Sequence, residues 1–463
     1  MEFRSTTLTA LLALAFAHPA EALDGRLLKD LRPGAKALGY GSWTDWSGDY
    51  DGDGIEDLVV GAWGGEQELG SVQVIRSSGG PLWLDTGELG DGFGIFAGSV
   101  GDVTGDGRDD LAVGAPYGRG GGRWIGGTLY LYSGVDVGSD DAGRDTIEPV
   151  FRAHGEATGD RMGWNACALG DLDGDGYGDM AVGAPYGANL DGWVAVFGGG
   201  PRGAMRWRIS LPNDAVNLGQ MGTRVALVGD LDGDGRDDFG VGVPLKRIWG
   251  GGDERRPQVW IYLARDMPSR APSYRLWGTD FRRLFGWDFA GIGDVDGDGY
   301  DDLAVGAPRK RSAPPTGPVP PEPPGVRGTD QGKVWIYRGG AEPDTIPYAR
   351  LVGESPDDAF GNAVVGLGDV DGDGHTDFAV GAPGNDGGAR EGGAVYLFLG
   401  GAPPDTVPDL LYRAEKDSAR FGYSVGARGP AAACGPNQAA VGAIDGGFTL
   451  VIGVQGEGAP EPE

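Results

Sequence analysis

Apolar residues in this chain come in short runs, β-branched or aromatic, and nowhere at helical spacing. One kind of run is nearly continuous, as in Leu111-Ala112-Val113-Gly114, and directly follows an acidic stretch. A second kind is of Val, Trp, Ile and Tyr type and recurs at Val72 to Ile75, Leu129 to Tyr132, Trp193 to Phe197, Val259 to Tyr262, Val334 to Tyr337, Val395 to Phe398 and Thr449 to Ile452. A third, as in Met205 to Ile209 or Tyr348 to Leu351, comes before a Phe-Gly-like pair. Clusters rich in glycine and proline separate the runs, so each run reads as a strand and each gap as a turn.

The runs keep a fixed register. From the second copy to the sixth, the glycine of the Phe-Gly-like pair (Gly94, Gly163, Gly222, Gly286, Gly361) lies eight residues before an Asp and twenty before the glycine of Gly-Ala-Pro or a near variant. In the first copy the pair is assigned to Gly39; both offsets are then two residues longer, which predicts a small insertion near Trp43 and Trp46. The same ruler finds a seventh copy, with Phe421-Gly422 twenty residues before Gly442-Ala443-Ile444.

Four antiparallel strands per repeat of about 50 to 75 residues is the pattern of a propeller blade. The expected fold is therefore all-β, a seven-bladed β-propeller over residues 23–456, with a short tail at 457–463. Gly25 to Leu28 reads as an orphan fourth strand, and its pairing into the last repeat would close the ring and cover two sheet edges.

Composition sharpens this picture. The 92 glycines and 31 prolines would suggest low complexity, but 13 Trp, 15 Tyr and 15 Phe supply the bulk of a packed core. A formal net charge of −30 provides no basic footprint, which argues against nucleic acid as a partner. Residues 1–22 read as a secretory signal, with Arg4, an apolar run from Leu8 to Ala17 and the small-x-small site Ala20-Glu21-Ala22. That run is too short to cross a bilayer and no later segment is apolar enough, so the expected location is secreted, periplasmic or cell-surface. Cys167 and Cys434 fall in repeats that a ring would hold apart, and no disulfide between them is expected.

The acidic stretches carry the chemistry. Six copies of Asp-x-Asp-Gly-Asp-Gly-x-x-Asp, one with Thr in place of the second Asp, place carboxylates at alternate positions of a glycine-rich turn. The candidate ligands are Asp49, Asp51, Asp53, Ile55 and Asp57; Asp102, Thr104, Asp106, Arg108 and Asp110; and Asp171, Asp173, Asp175, Tyr177 and Asp179. They continue with Asp230, Asp232, Asp234, Arg236 and Asp238; Asp294, Asp296, Asp298, Tyr300 and Asp302; and Asp369, Asp371, Asp373, His375 and Asp377. Position seven would act through its backbone carbonyl and position nine would complete the shell. One such loop alone would equally read as a solvated acidic turn, whereas six in register point to structural calcium, about six ions, through hard oxygen ligands. Two like charges about 4 Å apart cost on the order of 4 kcal/mol at a surface-like dielectric, so ion binding and loop formation should be coupled. Thr104 makes the second loop the weakest expected site. In the seventh repeat Pro430, Ala432, Cys434 and Gln438 occupy the ligand positions, and no ion is expected there.

The Phe-Gly pair, the aspartate loop and Gly-Ala-Pro, in registered copies, resemble the FG-GAP repeats of the integrin α-chain head over roughly residues 24–456. The resemblance implies a seven-bladed propeller, calcium loops joining the first and second strands of a blade, and partners on the opposite face. The expected function is an extracellular adhesion or recognition module for a protein or polysaccharide ligand. On that opposite face the loops between second and third strands vary most, the longest being 309–332 with Arg309-Lys310-Arg311 and a proline-rich run. Lys246, Arg247, Trp249, Arg255 and Arg256 are placed on the same face, while Phe96, Trp164, Trp287 and Tyr423 read as core or channel lining. No catalytic constellation stands apart from the metal ligands, so the chain is read as not an enzyme. The alternative is a calcium-assisted enzyme on a propeller scaffold, of polysaccharide lyase or phospholipase-like type.

Overall fold

The computed structural model describes residues 24–31, 39–64, 69–76, 81–138, 147–200, 204–210, 219–244, 256–267, 269–278, 284–308, 331–401, 406–427, 438–443 and 448–455. Their strands pair into antiparallel four-stranded sheets, seven in number. Sheet 1 holds Tyr40–Gly48, Asp57–Ala62, Leu69–Ile75 and Leu82–Leu89. Sheet 2 holds Phe96–Ser99, Leu111–Ala115, Thr128–Tyr132 and Phe151–His154. Sheet 3 holds Ala166–Gly170, Asp179–Ala184, Trp193–Gly198 and Ala204–Ser210. Sheet 4 holds Val225–Gly229, Asp238–Val243, Gln258–Tyr262 and Tyr274–Trp277. Sheet 5 holds Phe289–Gly293, Asp302–Ala307, Lys333–Tyr337 and Ala349–Val352. Sheet 6 holds Ala363–Gly368, Asp377–Ala382, Ala394–Phe398 and Leu410–Arg413. The last sheet holds Phe421–Ala427, Gln438–Ala443 and Phe448–Gln455, and its outer strand is Asp24–Leu31 from the other end of the chain. Side chains of this last sheet are described only in part.

The architecture is an all-β propeller of antiparallel four-stranded blades, each a meander whose first strand lies innermost. The apolar core lies between blades. Phe96, Leu129 and Leu131 of blade 2 pack on Met180, Val182 and Trp193 of blade 3, and Val194, Val196 and Ile209 of blade 3 pack on Val225, Phe239 and Val241 of blade 4. Fully burying one such side chain contributes about 1.5–3 kcal/mol, so the face-to-face packing of neighbouring sheets carries much of the stability.

The two glycine motifs are the joints between blades. The Phe-Gly glycine donates its N–H to the Gly-Ala-Pro glycine of its own blade, as Gly94 does to the Gly114 carbonyl at 3.0 Å. Its carbonyl meanwhile lies against the Gly-Ala-Pro glycine of the preceding blade: a Cβ on Gly61 would sit 2.2 Å from the Gly94 oxygen, and one on Gly114 only 1.8 Å from the Gly163 oxygen. No side chain fits there. Gly94 also holds φ +87°, a left-handed conformation that glycine adopts without strain.

This joint corrects the first repeat. The residue playing the Phe-Gly role is Gly41, not Gly39: Gly41 has φ +83°, and a Cβ on Gly442 would lie 2.2 Å from its carbonyl oxygen. Measured from Gly41, the offsets to Asp49 and Gly61 become eight and twenty, so there is no insertion. Tyr40 fills the buried aromatic place, and Gly39 is the left-handed residue before it, matching Gly92, Arg161, Gln220, Ala359 and Arg420.

The inner strands also build an ion pair that the motifs do not announce. Arg224 Nε lies 2.7 Å from Asp288 Oδ1, and the same guanidinium stacks 5.4 Å from the ring of Trp43 in blade 1. Asp288 Oδ2 accepts the N–H of Val364, which ties blade 5 to blade 6. Burial pushes the Asp288 and Asp45 carboxyls up from their usual range, and Arg224 pulls both back.

Candidate metal centres

Each aspartate loop is the turn between the first and second strands of a blade, and backbone donors shape it. In blade 3 the Asp171 carboxylate accepts the N–H groups of Gly174, Asp175 and Gly176 at 2.7, 3.1 and 2.9 Å. Asp49 and Asp369 are caged in the same way. Gly174 and Gly176 turn the chain at φ +74° and +91°, which is why the motif demands glycine at both places. Position five then accepts the N–H of position seven, as Asp175 does from Tyr177 at 3.1 Å.

Position nine is a pin. Asp57, Asp110, Asp179, Asp238, Asp302 and Asp377 are all buried. Asp179 Oδ2 accepts Leu172 N–H within the hairpin at 3.0 Å, and its Oδ1 accepts Gly199 N–H after the third strand at 3.1 Å. Asp238 does the same with Leu231 and Ala264, and Asp377 with Val370 and Gly400. One carboxylate thus locks the loop onto the outer half of its blade. Burial pushes Asp238, Asp302 and Asp377 up to about 7 and Asp110 up to about 6, against the opposing pull of these N–H donors.

Among the described residues, five loops bring three carboxylates so close that one oxygen from each lies within 4.8 Å of the others. They are Asp49, Asp51 and Asp53; Asp171, Asp173 and Asp179; Asp230, Asp232 and Asp234; Asp294, Asp296 and Asp298; and Asp369, Asp371 and Asp377. The donor set is all oxygen, and Asp296 Oδ1 is buried without a hydrogen-bond partner, a cost that a bound cation would remove. These residues fit a hard divalent ion.

The loop of blade 2 gathers no such triple. Thr104 donates its N–H to Asp110 Oδ2 at 2.6 Å and its hydroxyl to Asp110 Oδ1 at 3.1 Å, and the Ser133 hydroxyl donates to Asp106. Neighbouring loops are themselves linked: the N–H at position eight donates to the first-position carbonyl of the blade before, from Gly178 to Asp102 at 2.9 Å and from Thr376 to Asp294 at 3.0 Å.

The opposite ends of the blades carry a patch that sequence reasoning did not assemble. Arg161, left-handed at φ +57°, places its guanidinium 3.9 Å from the centre of Tyr186, 4.9 Å from Tyr117 and 5.9 Å from Trp164. Beside it Arg119 stacks on Trp124, a ring left 61% exposed. The signal was present in the sequence as Tyr after Gly-Ala-Pro in blades 2 and 3, but only the fold brings those turns together. Phe96 is core, packed at 5.1 Å on Trp43, whereas Trp164 belongs to the patch.

The segments 245–255 and 309–330, the signal region, the seventh-loop positions Pro430, Ala432 and Cys434, and the tail all lie outside the described residues. Cys167 is a buried free thiol, pushed up to about 12 by burial. Among the described residues no helix is long and apolar enough to cross a membrane.

Comparison with known proteins follows the same repeats. A family model described as FG-GAP repeat matches residues 96–131, 162–199, 285–337 and 360–398, and one described as FG-GAP-like repeat matches 49–113. Integrin alpha-PS2 of Drosophila melanogaster is 34% identical over 225 residues, covering 45% of this chain and 15% of that protein. Integrin alpha pat-2 of Caenorhabditis briggsae is 31% identical over 239 residues, covering 48% of this chain and 18% of that protein. Integrin alpha-V of Gallus gallus is 30% identical over 220 residues, covering 45% and 19%. The chain therefore spans less than a fifth of the length of these relatives. A solved structure titled "Structure of Dos1 propeller" aligns with TM-score 0.46 and 13% identity over 86% of this chain and 74% of that one.

Proposed function

From the premise that this chain carries FG-GAP repeats and resembles the integrin α chains, we propose that it is a calcium-stabilised extracellular recognition module. In this reading it is a seven-bladed ring, with Asp24–Leu31 completing the last blade beside Phe448–Gln455. Residues 1–22 are its export signal. Calcium is held by the carboxylates at positions one, three, five and nine of each loop, with the position-seven carbonyl, in up to six loops of which the Thr104 loop is the weakest. The ions supply charge neutralisation; the chain's own residues shape the hairpins and fix them to the blades.

One observation carries the reading: carboxylate triples gather at one end of the blades, while the other end presents arginines stacked on tyrosines and an exposed tryptophan. Tyr, Trp and Arg are the side chains that most often anchor a partner, and a rigid ring of blades holds them in place. The partner is a protein or a polysaccharide. The enzymatic alternative has no comparable observation behind it.

Binding of immobilised mature protein to a panel of extracellular proteins and polysaccharides tests this, with Trp124→Ala and Arg161→Ala as variants. The expected result is a ligand retained in calcium and released, at least tenfold more weakly held, in both variants. Full retention by both would discard this face as the partner surface, and product release from a bound polysaccharide would replace recognition with turnover.

A further inference from the structure

Among the described residues, the acidic loops of blades 3, 4 and 5 share a feature absent from their motif. In blade 3 the guanidinium of Arg206, on the outer strand, lies 3.3 Å from Asp173 Oδ2 and 3.1 Å from Asp175 Oδ2. In blade 4 Arg265, in the turn after the third strand, lies 3.0 Å from Asp232 Oδ2. In blade 5 Arg338, at the end of the third strand, lies 2.6 Å from Asp296 Oδ2. The aspartates of blades 4 and 5 are buried while their arginines are open to solvent, so a cation reaches each inward-facing carboxylate from outside. It does not use up the acid: Asp296 Oδ1 stays buried and without a hydrogen-bond partner.

Blade 6 supplies an internal control. Gly400 N–H donates to Asp377 Oδ1 at 2.7 Å just as Gly339 N–H donates to Asp302 Oδ1 at 3.1 Å, which aligns Leu399 with Arg338. Where blade 5 offers a guanidinium, blade 6 offers an aliphatic side chain.

We propose that Arg206, Arg265 and Arg338 are latches that hold the third-position aspartates of blades 3, 4 and 5, keeping those loops formed at low calcium and weakening their hold on the ion relative to blade 6. The inference rests on the calcium reading above. Its physics is charge balance. A guanidinium beside clustered carboxylates offsets their repulsion before an ion arrives, and the same positive charge repels the ion afterwards. The blades then fall into two classes. Blades with a latch respond at higher calcium and lose less on chelation; the blade with Leu399 responds at lower calcium and loses more.

The test uses the full mature chain and a reciprocal pair, Arg338→Leu and Leu399→Arg. Calcium affinity is read by competition with a chromophoric chelator, and melting temperature is read in chelator and in millimolar calcium. Arg338→Leu is expected to tighten one site roughly tenfold, the effect of removing one unit charge beside a divalent ion at near-water dielectric, and to lower the melting temperature in chelator only. Leu399→Arg is expected to weaken one site by a similar factor and raise the melting temperature in chelator. If the parent binds calcium and both variants titrate as it does, the latch is wrong and the calcium reading stands. If the parent takes up no calcium, both fall. Should Arg338→Leu fail to fold, Leu399→Arg alone decides.

Discussion

The loops of blades 2 and 3 are the same length, are hydrogen-bonded to each other and differ in one ligating side chain, yet they satisfy their acids by different means. In blade 3, Asp171, Asp173 and Asp179 turn toward one point. In blade 2, Thr104 stands where Asp173 would be and gives both its N–H and its hydroxyl to Asp110, while Ser133 gives its hydroxyl to Asp106. Exchanging one carboxylate for a hydroxyl removes a charge and adds a donor, and Thr104 uses both of its donors to close the turn on Asp110. The surroundings differ as well: Ser133 reaches Asp106 in blade 2 and Arg206 reaches Asp173 and Asp175 in blade 3, so the exchange at position three acts together with these contacts.

The largest expected effect breaks the comparison at every loop together. Chelation of the purified protein should lower its melting temperature on the order of 10 °C or more, because each site saturated to about 100 times its dissociation constant adds roughly 2.7 kcal/mol. A melting curve indifferent to chelator would remove the ion from the account.

Next, the pin and the ligand can be separated within blade 3. Asp179→Ala strips the acceptor from both Leu172 and Gly199 and should cost about 3 kcal/mol even in chelator, and more in calcium, where a ligand is lost as well. Asp173→Ala should cost much more in calcium than in chelator, where it loses only its contact with Arg206. Equal behaviour of the two variants in chelator would show that position nine is no pin.

A smaller change sharpens the comparison from the other side. Thr104→Asp gives blade 2 the missing acid and should strengthen calcium binding at one site roughly tenfold, seen as an altered first phase of a calcium titration. An unaltered titration would mean that Thr104 is not what sets blade 2 apart.

The smallest expected effect is on pH. Asp110 is raised to about 6 and Asp238, Asp302 and Asp377 to about 7, all above the unfolded value near 4. Folding therefore takes up protons at these sites, so the stability they contribute is present at low pH and is lost as pH rises through about 6 to 7. Calcium acts in the opposite sense because it needs the charged form. The gain in melting temperature from calcium should be a few degrees larger at pH 8 than at pH 5; an equal gain at both would separate these acids from the ion.

Much of this was legible in the chain. The spacing of Phe-Gly, acidic loop and Gly-Ala-Pro located the hairpins and the strands of the alternating runs, because a hydrogen-bonded turn of fixed geometry tolerates no change of length. Gly25 to Leu28 announced an unpaired strand, which pairs with Phe448–Gln455. The first repeat was misassigned at Gly39 because two glycines flank Tyr40 and only the joint with Gly442 distinguishes them. Arg206, Arg265 and Arg338 were invisible as partners of the loops, since each lies more than thirty residues from its aspartate and lacks a motif of its own.

By itself the sequence determined the local units: strands from apolar alternation, turns from glycine, and acid clusters from carboxylates every second residue. The tertiary structure alone decided which charges meet. The Arg224–Asp288 pair, the arginines on the loops of blades 3 to 5, and the stacking of Arg161 on Tyr117, Trp164 and Tyr186 all depend on the packing of strands and turns distant along the chain. The reason is range: backbone geometry is set by neighbours a few residues away, whereas a charge or a ring answers to whatever lies within a few ångströms in space.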